Sequence, residues 1–216
     1  MPNNNTTSLD FLRFSLSAKV LRFGSFQTKA GRNSPYFFNA GLFNSGALLD
    51  QLGSFYADTI NDACPPFDML FGPAYKGIPL VTTTAAAMSR RHNRDIPITY
   101  NRKEAKDHGE GGNLIGAPLK GNVIIIDDVI SAGTSIRESA KWIDEAGAKL
   151  AGVIIALDRQ ERGTGNLSAT QEVQQTLGVP VTAIATLNDL IDMLSKDPTA
   201  KESLAAIQRY KERYGA

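Results

Sequence analysis

Residues 123–135 read VIIIDDVISAGTS, in which an apolar run is followed by two adjacent aspartates and then by small and hydroxyl residues. A strand that continues through a tight loop into a helix brings backbone N–H groups and the positive end of a helix dipole to one point, where a phosphate is favoured. Small residues let the backbone approach a ligand closely, and hydroxyls add hydrogen-bond donors. The loop residues of these two kinds are Ser131, Ala132, Gly133, Thr134 and Ser135. This half of the motif predicts an anion site.

The two aspartates, Asp127 and Asp128, would repel a phosphate unless hydroxyl groups or positive charge lay between them. A ribose 5-phosphate meets this requirement, because its 2- and 3-hydroxyls can donate to the carboxylates while its phosphate occupies the loop. A purely structural role, in which the acids cap the strand end and the turn, stays open on the residues alone. A Walker B role is disfavoured because the sequence contains no GxxxxGK[ST] motif.

Basic residues and glycines are concentrated in the segment 102–121. Glycines keep a backbone mobile, and basic side chains on a mobile loop suit a lid that closes over a polyanion. We therefore expect a mobile lid loop here, with a solvated surface loop as the plainer alternative. Four basic residues lie close together at its start, Arg102, Lys103, Lys106 and His108, and its first four glycines are Gly109, Gly111, Gly112 and Gly116.

Three other segments carry candidate binding residues. The loop GPAYKG at 72–77 follows an apolar strand and offers backbone donors and Lys76 as a second clamp on a polyphosphate, although an ordinary strand-to-helix turn would also fit. Phe37 and Phe38 lie in an aromatic loop, and such pairs more often belong to a core. Arg159 follows an apolar strand. Its planar fork matches a carboxylate bidentately, but a surface ion pair is the commoner role.

These segments need a scaffold that brings their ends together. From about residue 67 onward, short β-branched runs alternate with helical patterns, which predicts βαβ units and a mainly parallel sheet. Ligands bind at the carboxyl ends of the strands in such sheets. The clearest helix is predicted over Ser131–Ala148, with Gly147 as its cap. Before residue 65, helices near 9–20 and 45–61 flank an aromatic loop at 29–41, and we expect this part to form a hood or flanking layer.

Composition limits the function further. The chain has 216 residues, of which 42% are apolar and 21% charged, as expected for one globular domain. Its net charge of +1 gives no overall field that would gather nucleic acid or anionic lipid, so an anion site must be local. Cys64 is the single cysteine, the amino terminus lacks signal-peptide features, and no apolar run approaches the roughly 18 residues of a membrane helix. We expect a soluble protein in the reducing cytoplasm.

DDVISAGTS resembles the phosphoribosyl pyrophosphate (PRPP) fingerprint of type I phosphoribosyltransferases, and four other segments resemble bacterial orotate phosphoribosyltransferases. These segments are KAGRNSPYFFNAGLFNSG at 29–46, GPAYKGIPL at 72–80, NRKEAKDHGEGGNLIGAPLKG at 101–121 and LDRQERG at 157–163. The resemblance extends over essentially the whole chain from about residue 8. It implies an α/β fold whose mainly parallel central sheet is flanked by helices, with a small N-terminal hood. Residues 1–216 would form a single domain, and residues 1–65 its hood and flanking elements.

The resemblance also implies an activity. Such an enzyme transfers the ribose 5-phosphate group of PRPP to orotate, giving orotidine 5-monophosphate and pyrophosphate in the de novo synthesis of UMP. It uses Mg2+ bound mainly through PRPP and pyrophosphate. It is a homodimer in which lid residues, here Arg102 and Lys106, act in the neighbouring subunit's site. One rival is a phosphoribosyltransferase for another base, which Arg159 and the lid disfavour. The other is a PRPP-sensing regulator of nucleic-acid binding, which the near-neutral charge, the absence of a recognisable helix-turn-helix segment and the intact lid disfavour.

The roles that the resemblance implies fall into three groups. The catalytic residues are Lys106, Asp128 and Asp127, and no protein ligand to a metal is implied. The PRPP-binding residues are Lys29, Tyr75, Lys76, Arg102, Lys103, Lys106, His108, Asp127, Asp128, Val129, Ile130, Ser131, Ala132, Gly133, Thr134 and Ser135. The orotate-binding residues are Phe37, Phe38, Ser131 and Arg159, with Arg162 the weaker candidate for the carboxylate. Position 131 is serine where threonine is common in the family, and related enzymes carry a non-proline cis peptide in the 72–77 loop.

Overall fold

The computed structural model describes residues 4–28, 30–106, 112–163 and 165–216. The strands, in chain order, are β1 (Leu21–Gln27), β2 (Asn33–Phe38), β3 (Met69–Gly72), β4 (Ile98–Lys106), β5 (Gly112–Gly116), β6 (Asn122–Asp127), β7 (Lys149–Asp158) and β8 (Val181–Thr186). The α-helices are α1 (Asn4–Ser17), α2 (Gly46–Ala63), α3 (Gly77–His92), α4 (Thr134–Glu145), α5 (Ala169–Leu177), α6 (Leu187–Ser195) and α7 (Lys201–Tyr214). Within the described ranges, no helix combines the length and the apolar character that crossing a bilayer requires.

Six of the strands form one central sheet in the order β5-β4-β3-β6-β7-β8. Each neighbouring pair is parallel except β4 and β5, which are antiparallel. The predicted mainly parallel sheet is therefore confirmed. Because parallel strands end at the same edge of a sheet, the segments that follow Gly72, Asp127 and Asp158 meet at one edge.

β6 lies at the middle of this sheet and is buried on both faces. Ile124 and Ile126 belong to the apolar core that α1, α2 and α3 share with α6 and α7. Val123 and Ile125 belong to the core on the opposite face, against α4 and α5. A parallel strand covered by helices on both faces reads as a continuous apolar run, which explains the residues VIII before the aspartates.

The N-terminal part contains a hairpin that the sequence interpretation missed. The segment 29–41 was expected to be a loop, but Asn33–Phe38 forms β2 and pairs in antiparallel fashion with β1. Alternate residues of β2, Ser34, Tyr36 and Phe38, are buried, so the strand has one face in the core. The prediction failed because the apolar Pro35 and Phe37 occupy the other face and hide the two-residue period.

Helix α4 is shorter at both ends than the predicted span Ser131–Ala148. It begins at Thr134 because Gly133, its N-cap, has the left-handed angles φ 67° and ψ 12°. It ends at Glu145, and Gly147, at φ 73°, turns the chain into β7. The correction matters at the start, since residues 131–133 are thereby freed to form the loop that precedes the helix.

The predicted lid loop is largely a hairpin in the part of it that the structure describes. Arg102 through Lys106 continue β4, and Gly112–Gly116 forms β5 antiparallel to it. The register pairs Thr99 with Gly116 and Lys106 with Gly112. Residues 107–111, which include His108, lie outside the described residues. The expectation of a loop starting at residue 102 was wrong because pairing between β4 and β5 outweighs the glycine content at their ends.

Candidate functional site

The two adjacent aspartates stand at the carboxyl end of β6 and are both buried, with exposed fractions of 8% for Asp127 and 6% for Asp128. Asp127 accepts hydrogen bonds from the Asp128 backbone N–H at 2.9 Å and from the Ser135 hydroxyl at 3.0 Å. Asp128 instead forms an ion pair with Lys76, whose Nζ is 2.7 Å from Oδ2. Asp127 thus closes the turn, as the capping alternative expects, whereas Asp128 joins this loop to the loop after β3.

The environment of the pair changes the acidity of Asp127. Burial raises the pKa of this carboxyl to about 6, and the neighbouring Asp128 carboxylate raises it too, against the opposing effect of the two hydrogen bonds that Asp127 accepts. A buried pair of carboxylates with one lysine is a place where additional hydrogen-bond donors or positive charge are favourable. Sugar hydroxyls can supply such donors.

The loop after the aspartates leads into an α4 whose first turn has no side-chain cap. Its first N–H groups are therefore not claimed by a capping side chain, and Ser131, Ala132 and Thr134 beside them are exposed. Val129 and Ile130 are half-buried and pack against the two apolar cores. Their side chains are therefore partly taken up by core packing, and their predicted contact with PRPP stays a prediction.

Arg137, in the first turn of α4, was missed by the sequence interpretation. Its Nη2 donates to the carbonyl of Ala132 at 2.6 Å, so it braces the loop from the helix side and brings a positive charge to it. The signal that could have found it is its position four residues after Gly133, because side chains of a first helical turn lie over the preceding loop.

The loop after β3 contains a cis peptide bond between Ala74 and Tyr75, as the resemblance implied. The Ala74 N–H donates to the side-chain oxygen of Asn101 on β4 at 2.7 Å, which anchors the loop to the neighbouring strand. The Tyr75 side chain is exposed, and Lys76 reaches Asp128 with an amine that solvent can still approach. Asn101 had no signal in the sequence, since its partner is 27 residues away.

Arg159 follows β7 at the same edge, beside the aspartates: the Ala156 N–H donates to the Asp128 carbonyl at 2.9 Å. The guanidinium is enclosed by side chains. Nε and Nη2 donate to Glu161 Oε1 at 2.8 and 2.5 Å, Nη2 also donates to the Ser34 hydroxyl at 3.1 Å, and Cζ lies 4.3 Å from the centre of the Tyr36 ring. Burial alone would lower its pKa, but Tyr36 and Glu161 raise the pKa above the usual value.

The aromatic pair of β2 divides between two environments. Phe38 is buried and its ring packs in the core, with ring centres 6.3 Å from Phe11 and 6.4 Å from Phe43. The resemblance implied that Phe38 binds orotate, but β2 turns the Phe38 side chain into the core, so only its backbone is kept as a candidate for that contact. Phe37 is half-buried and stacks on Phe26 at 5.4 Å.

Four of the predicted residues lie wholly or partly outside the described residues. Lys29 and His108 lie outside the described residues, and so do the side chains of Lys103 and Lys106. The backbone places both lysines on β4, which ends at the same edge as β3 because the two strands are parallel. Arg102 is half-buried on β4, and its Nε has no hydrogen-bond partner among the described residues.

The side chains at this site suit a metal ion that binds together with a phosphorylated ligand better than a metal ion held by protein ligands alone. In the described part of the chain, no three His, Cys, Asp or Glu side chains converge to form a metal site. The two strand-end aspartates are the nearest approach to one, and Asp128 is already paired with Lys76. Mg2+ keeps several water ligands and is commonly bound through phosphates, so Asp127 and Asp128 would fit beside an Mg2+ ion that a phosphorylated ligand brings.

The chain is similar to known enzymes over almost its whole length. Residues 42–168 match the phosphoribosyl transferase domain family. Orotate phosphoribosyltransferase from Pseudomonas fluorescens is 59% identical over 207 residues, which cover 95% of this chain and 97% of that protein. The enzyme of the same name from Cronobacter sakazakii is 59% identical over 205 residues, covering 95% and 96%. The crystal structure of orotate phosphoribosyltransferase from Francisella tularensis matches with a TM-score of 0.86 at 39% identity, over 96% of this chain and 100% of that one.

Proposed function

As the chain belongs to the orotate phosphoribosyltransferase family, we infer the roles of its site residues from the reaction that it catalyses. That reaction transfers the ribose 5-phosphate group of PRPP to orotate and gives orotidine 5-monophosphate and pyrophosphate, a step of pyrimidine biosynthesis. One observation carries our assignment of the site. The buried pair Asp127 and Asp128 ends β6 beside the uncapped start of α4 and the amine of Lys76.

We propose that the ribose 5-phosphate part of PRPP binds at this strand end. The 5-phosphate occupies the loop before α4, where backbone N–H groups and the hydroxyls of Ser131, Thr134 and Ser135 donate to it. The 2- and 3-hydroxyls of the ribose donate to Asp127 and Asp128. At neutral pH, above the raised pKa of Asp127 at about 6, the Asp127 carboxylate is ionised and accepts such a hydrogen bond.

Lys76 changes partner when PRPP binds. Its amine pairs with Asp128 in the free protein, and the side chain remains more than half exposed. The ribose hydroxyls satisfy Asp128 in the complex, so the amine is released to contact the pyrophosphate. Lys29, Arg102, Lys103 and His108 complete the polyanion site from the hood and the lid, and the exposed Tyr75 covers it.

Orotate binds between the hood hairpin and the end of β7. Arg159 binds its carboxylate, which uracil lacks, and charge-assisted hydrogen bonds of this kind are among the stronger ones. The half-buried Phe37 ring and the backbone of β2 at Phe38 contact the pyrimidine, and the Ser131 hydroxyl reaches it from the PRPP loop. This arrangement puts the base and the ribose on neighbouring strand ends.

Transfer breaks the bond between the anomeric carbon and pyrophosphate and forms a bond to the orotate ring nitrogen, with inversion. Charge accumulates on the leaving pyrophosphate, so donors placed against it stabilise the transition state. Lys106 is our chief catalytic residue in this role, and Asp127 and Asp128 hold the ribose and offset its developing positive charge. Mg2+ bound through PRPP and pyrophosphate oxygens supplies Lewis-acid stabilisation of the leaving group.

We also propose that the active unit is a homodimer in which Arg102 and Lys106 act in the neighbouring subunit's site. Support comes from the position of both residues on the β4–β5 hairpin at the edge of the sheet, and from the unpartnered Nε of Arg102 within the described residues. Mixing Lys106→Ala with Asp128→Asn protein tests this. Mixed dimers with trans-acting lids contain one intact site, so activity reappears on mixing. No gain on mixing would contradict the trans arrangement.

The remaining proposals concern organisation and location. Residues 1–216 act as one phosphoribosyltransferase domain, with 1–65 as hood and flanking elements; the packing of α1 and α2 into the same apolar core as the central sheet supports this. The reaction takes place in the cytoplasm, which agrees with a lone, partly buried Cys64.

Orotate consumption followed by ultraviolet absorbance tests the proposed function. Purified protein with PRPP and Mg2+ is expected to consume orotate, and omission of either PRPP or Mg2+ is expected to stop the reaction. Uracil in place of orotate is the control for recognition of the carboxylate. Consumption of uracil at a rate equal to that of orotate would contradict the role given to Arg159.

A further inference from the structure

The hydrogen bonds of Arg159 occupy one edge of its guanidinium and leave another free. Nε and Nη2 both donate to Oε1 of Glu161, and Nη2 donates in addition to the Ser34 hydroxyl. Among the described residues no hydrogen bond from Nη1 is seen, although the Tyr210 hydroxyl interacts with both Arg159 and Glu161. A guanidinium offers five N–H donors in a fixed plane, so fixing the Nε and Nη2 edge also fixes the direction of the Nη1 donors.

Glu161 is itself held in place from two sides. Its backbone forms an antiparallel bridge with Gly215, and next to it the Arg162 N–H donates to the Tyr214 carbonyl at 2.8 Å. Its second carboxylate oxygen is 3.8 Å from Nη1 of Arg32, and the exposed fractions of the Arg159 and Glu161 side chains are only 18% and 16%. Glu161 is therefore anchored within the fold and is not a loosely bound surface partner of Arg159.

The ion-paired side chains of Arg32, Arg159 and Glu161 have a net charge that one further carboxylate would neutralise. Arg32 and Arg159 carry two positive charges and Glu161 carries one negative charge, so the group has a net charge of +1. A partly buried net charge is favourably neutralised by a ligand of opposite charge. Orotate brings one carboxylate.

We propose that Glu161 is a positioning residue for orotate recognition: it holds the Nε and Nη2 edge of Arg159 and leaves Nη1 as the principal donor to the orotate carboxylate. This inference rests on the proposed function of Arg159 and adds the residue that orients it. Ser34 assists by accepting from Nη2, and the Tyr36 ring beneath Cζ keeps the guanidinium plane in place.

Two conservative variants distinguish the effect of side-chain length at position 161 from the effect of its charge. Glu161→Asp keeps the charge but withdraws the carboxylate by one methylene, so Arg159 loses its support. Glu161→Gln keeps the length and an acceptor oxygen for Nε and Nη2, but removes the charge. We expect Glu161→Asp to raise the orotate KM about tenfold and Glu161→Gln to leave it within about threefold of the original protein. The KM for PRPP should stay unchanged in both.

The matched controls are Glu145→Asp and Glu145→Gln, at an exposed glutamate of α4 that pairs only with Lys141 among the described residues. They should leave both Michaelis constants unchanged. The positioning role is overturned if Glu161→Asp leaves the orotate KM unchanged. It is also overturned if Glu161→Asp lowers the orotate KM, which would mean that the Glu161 carboxylate competes with orotate for Arg159. A larger rise in the orotate KM for Glu161→Gln than for Glu161→Asp would overturn it as well. Equal rises in the KM for orotate and for PRPP would indicate a general structural role and also overturn it. An original protein that consumes no orotate would instead contradict the proposed function.

Discussion

The two parts of the proposed site, at the ends of β6 and β7, differ in the net charge of their buried side chains. At the end of β6, the two buried carboxylates have one ion-pair partner among the described residues, the amine of Lys76, so the carboxylate side of this half is net negative and suits hydroxyl donors, whereas Arg137 lies on its phosphate-loop side. At the end of β7, Arg159 and Arg32 share the one carboxylate of Glu161, so this half carries a net positive charge and suits a carboxylate. The difference supports our proposal that the end of β6 takes the ribose and the end of β7 takes the acidic base, although both substrates are anions.

Substitution of Lys106 tests whether catalysis needs a lid residue in addition to the residues at the ends of β6 and β7. We expect Lys106→Ala to lower kcat by about 100- to 1,000-fold with a smaller change in the PRPP KM, because its contact with pyrophosphate strengthens as the leaving group gains charge. Steady-state kinetics with both substrates varied measures this. Lys120→Ala, at an exposed lysine after β5, is the matched control. Near-normal turnover of Lys106→Ala would remove Lys106 from the mechanism.

Arg159 tests the positive half. We expect Arg159→Ala to raise the orotate KM about 100-fold and to leave the PRPP KM nearly unchanged, because the lost interaction is a charge-assisted one with a partly buried carboxylate. Arg162→Ala serves as the comparison, since Arg162 donates to the Arg213 carbonyl at 2.6 Å and holds the C-terminal segment instead. If Arg162→Ala gave the larger rise in the orotate KM, the carboxylate site would have to be moved to that residue.

The pH dependence of the unfolding free energy, compared between the original protein and Asp127→Asn, tests the electrostatic environment at the end of β6. The pKa of Asp127 is raised from 3.8 to about 6 in the folded protein, so its contribution to stability is complete below about pH 4 and is lost as the pH rises through 6. We therefore expect Asp127→Asn to raise the unfolding free energy at pH 8 by roughly 1–3 kcal/mol and to have little effect at pH 4. Denaturant unfolding at both pH values measures the difference.

The same substitution should impair PRPP binding while it stabilises the fold. We expect the PRPP KM of Asp127→Asn to rise about tenfold at pH 8, because the amide is a poorer acceptor for a ribose hydroxyl. In the original protein, kcat/KM for PRPP should fall as the pH drops through about 6, where Asp127 becomes protonated. PRPP itself ionises in this range, so the pH profile of the variant is the control. Identical profiles would show that Asp127 does not govern the pH dependence.

Ser131 is expected to have the smallest effect, because it lies between the two halves and offers one hydroxyl. Ser131→Thr keeps that hydroxyl and should change both Michaelis constants by less than about twofold, whereas Ser131→Ala should raise the orotate KM about threefold. The Michaelis constants for orotate, measured at saturating PRPP, distinguish the two variants. A larger effect of threonine than of alanine would mean that the space around residue 131, and not its hydroxyl, is what matters.

The two halves also differ in how far the sequence could predict them. The β6–α4 loop is one contiguous stretch, so its residue types show both the anion site and the acids, and the structure adds mainly the start of α4 at Thr134. The surroundings of Arg159 come from β2, the end of β7 and the C-terminal residues, which are far apart in the chain. Glu161 could not be recognised as a partner of Arg32 from spacing alone, since the two are 129 positions apart.

In the hood, too, the sequence predicted residue types but not the directions of their side chains. The sequence indicated aromatic residues near a ligand, but only the pairing of β2 with β1 decides which of them face the core. Phe38 was assigned to orotate by the resemblance, whereas tertiary packing put its ring beside Phe11 in the core. Residue type is a local property, whereas the direction of a side chain depends on strand register.

The most direct test of the opposed halves is to measure both Michaelis constants in Asp128→Asn and Arg159→Ala side by side, using orotate consumption with Mg2+ in excess. The account predicts a crossed pattern, in which Asp128→Asn raises the PRPP KM and Arg159→Ala raises the orotate KM, each by about tenfold or more with the other constant little changed. If both substitutions raised the same constant, or raised both equally, the division of the site into a ribose half and a base half would be contradicted.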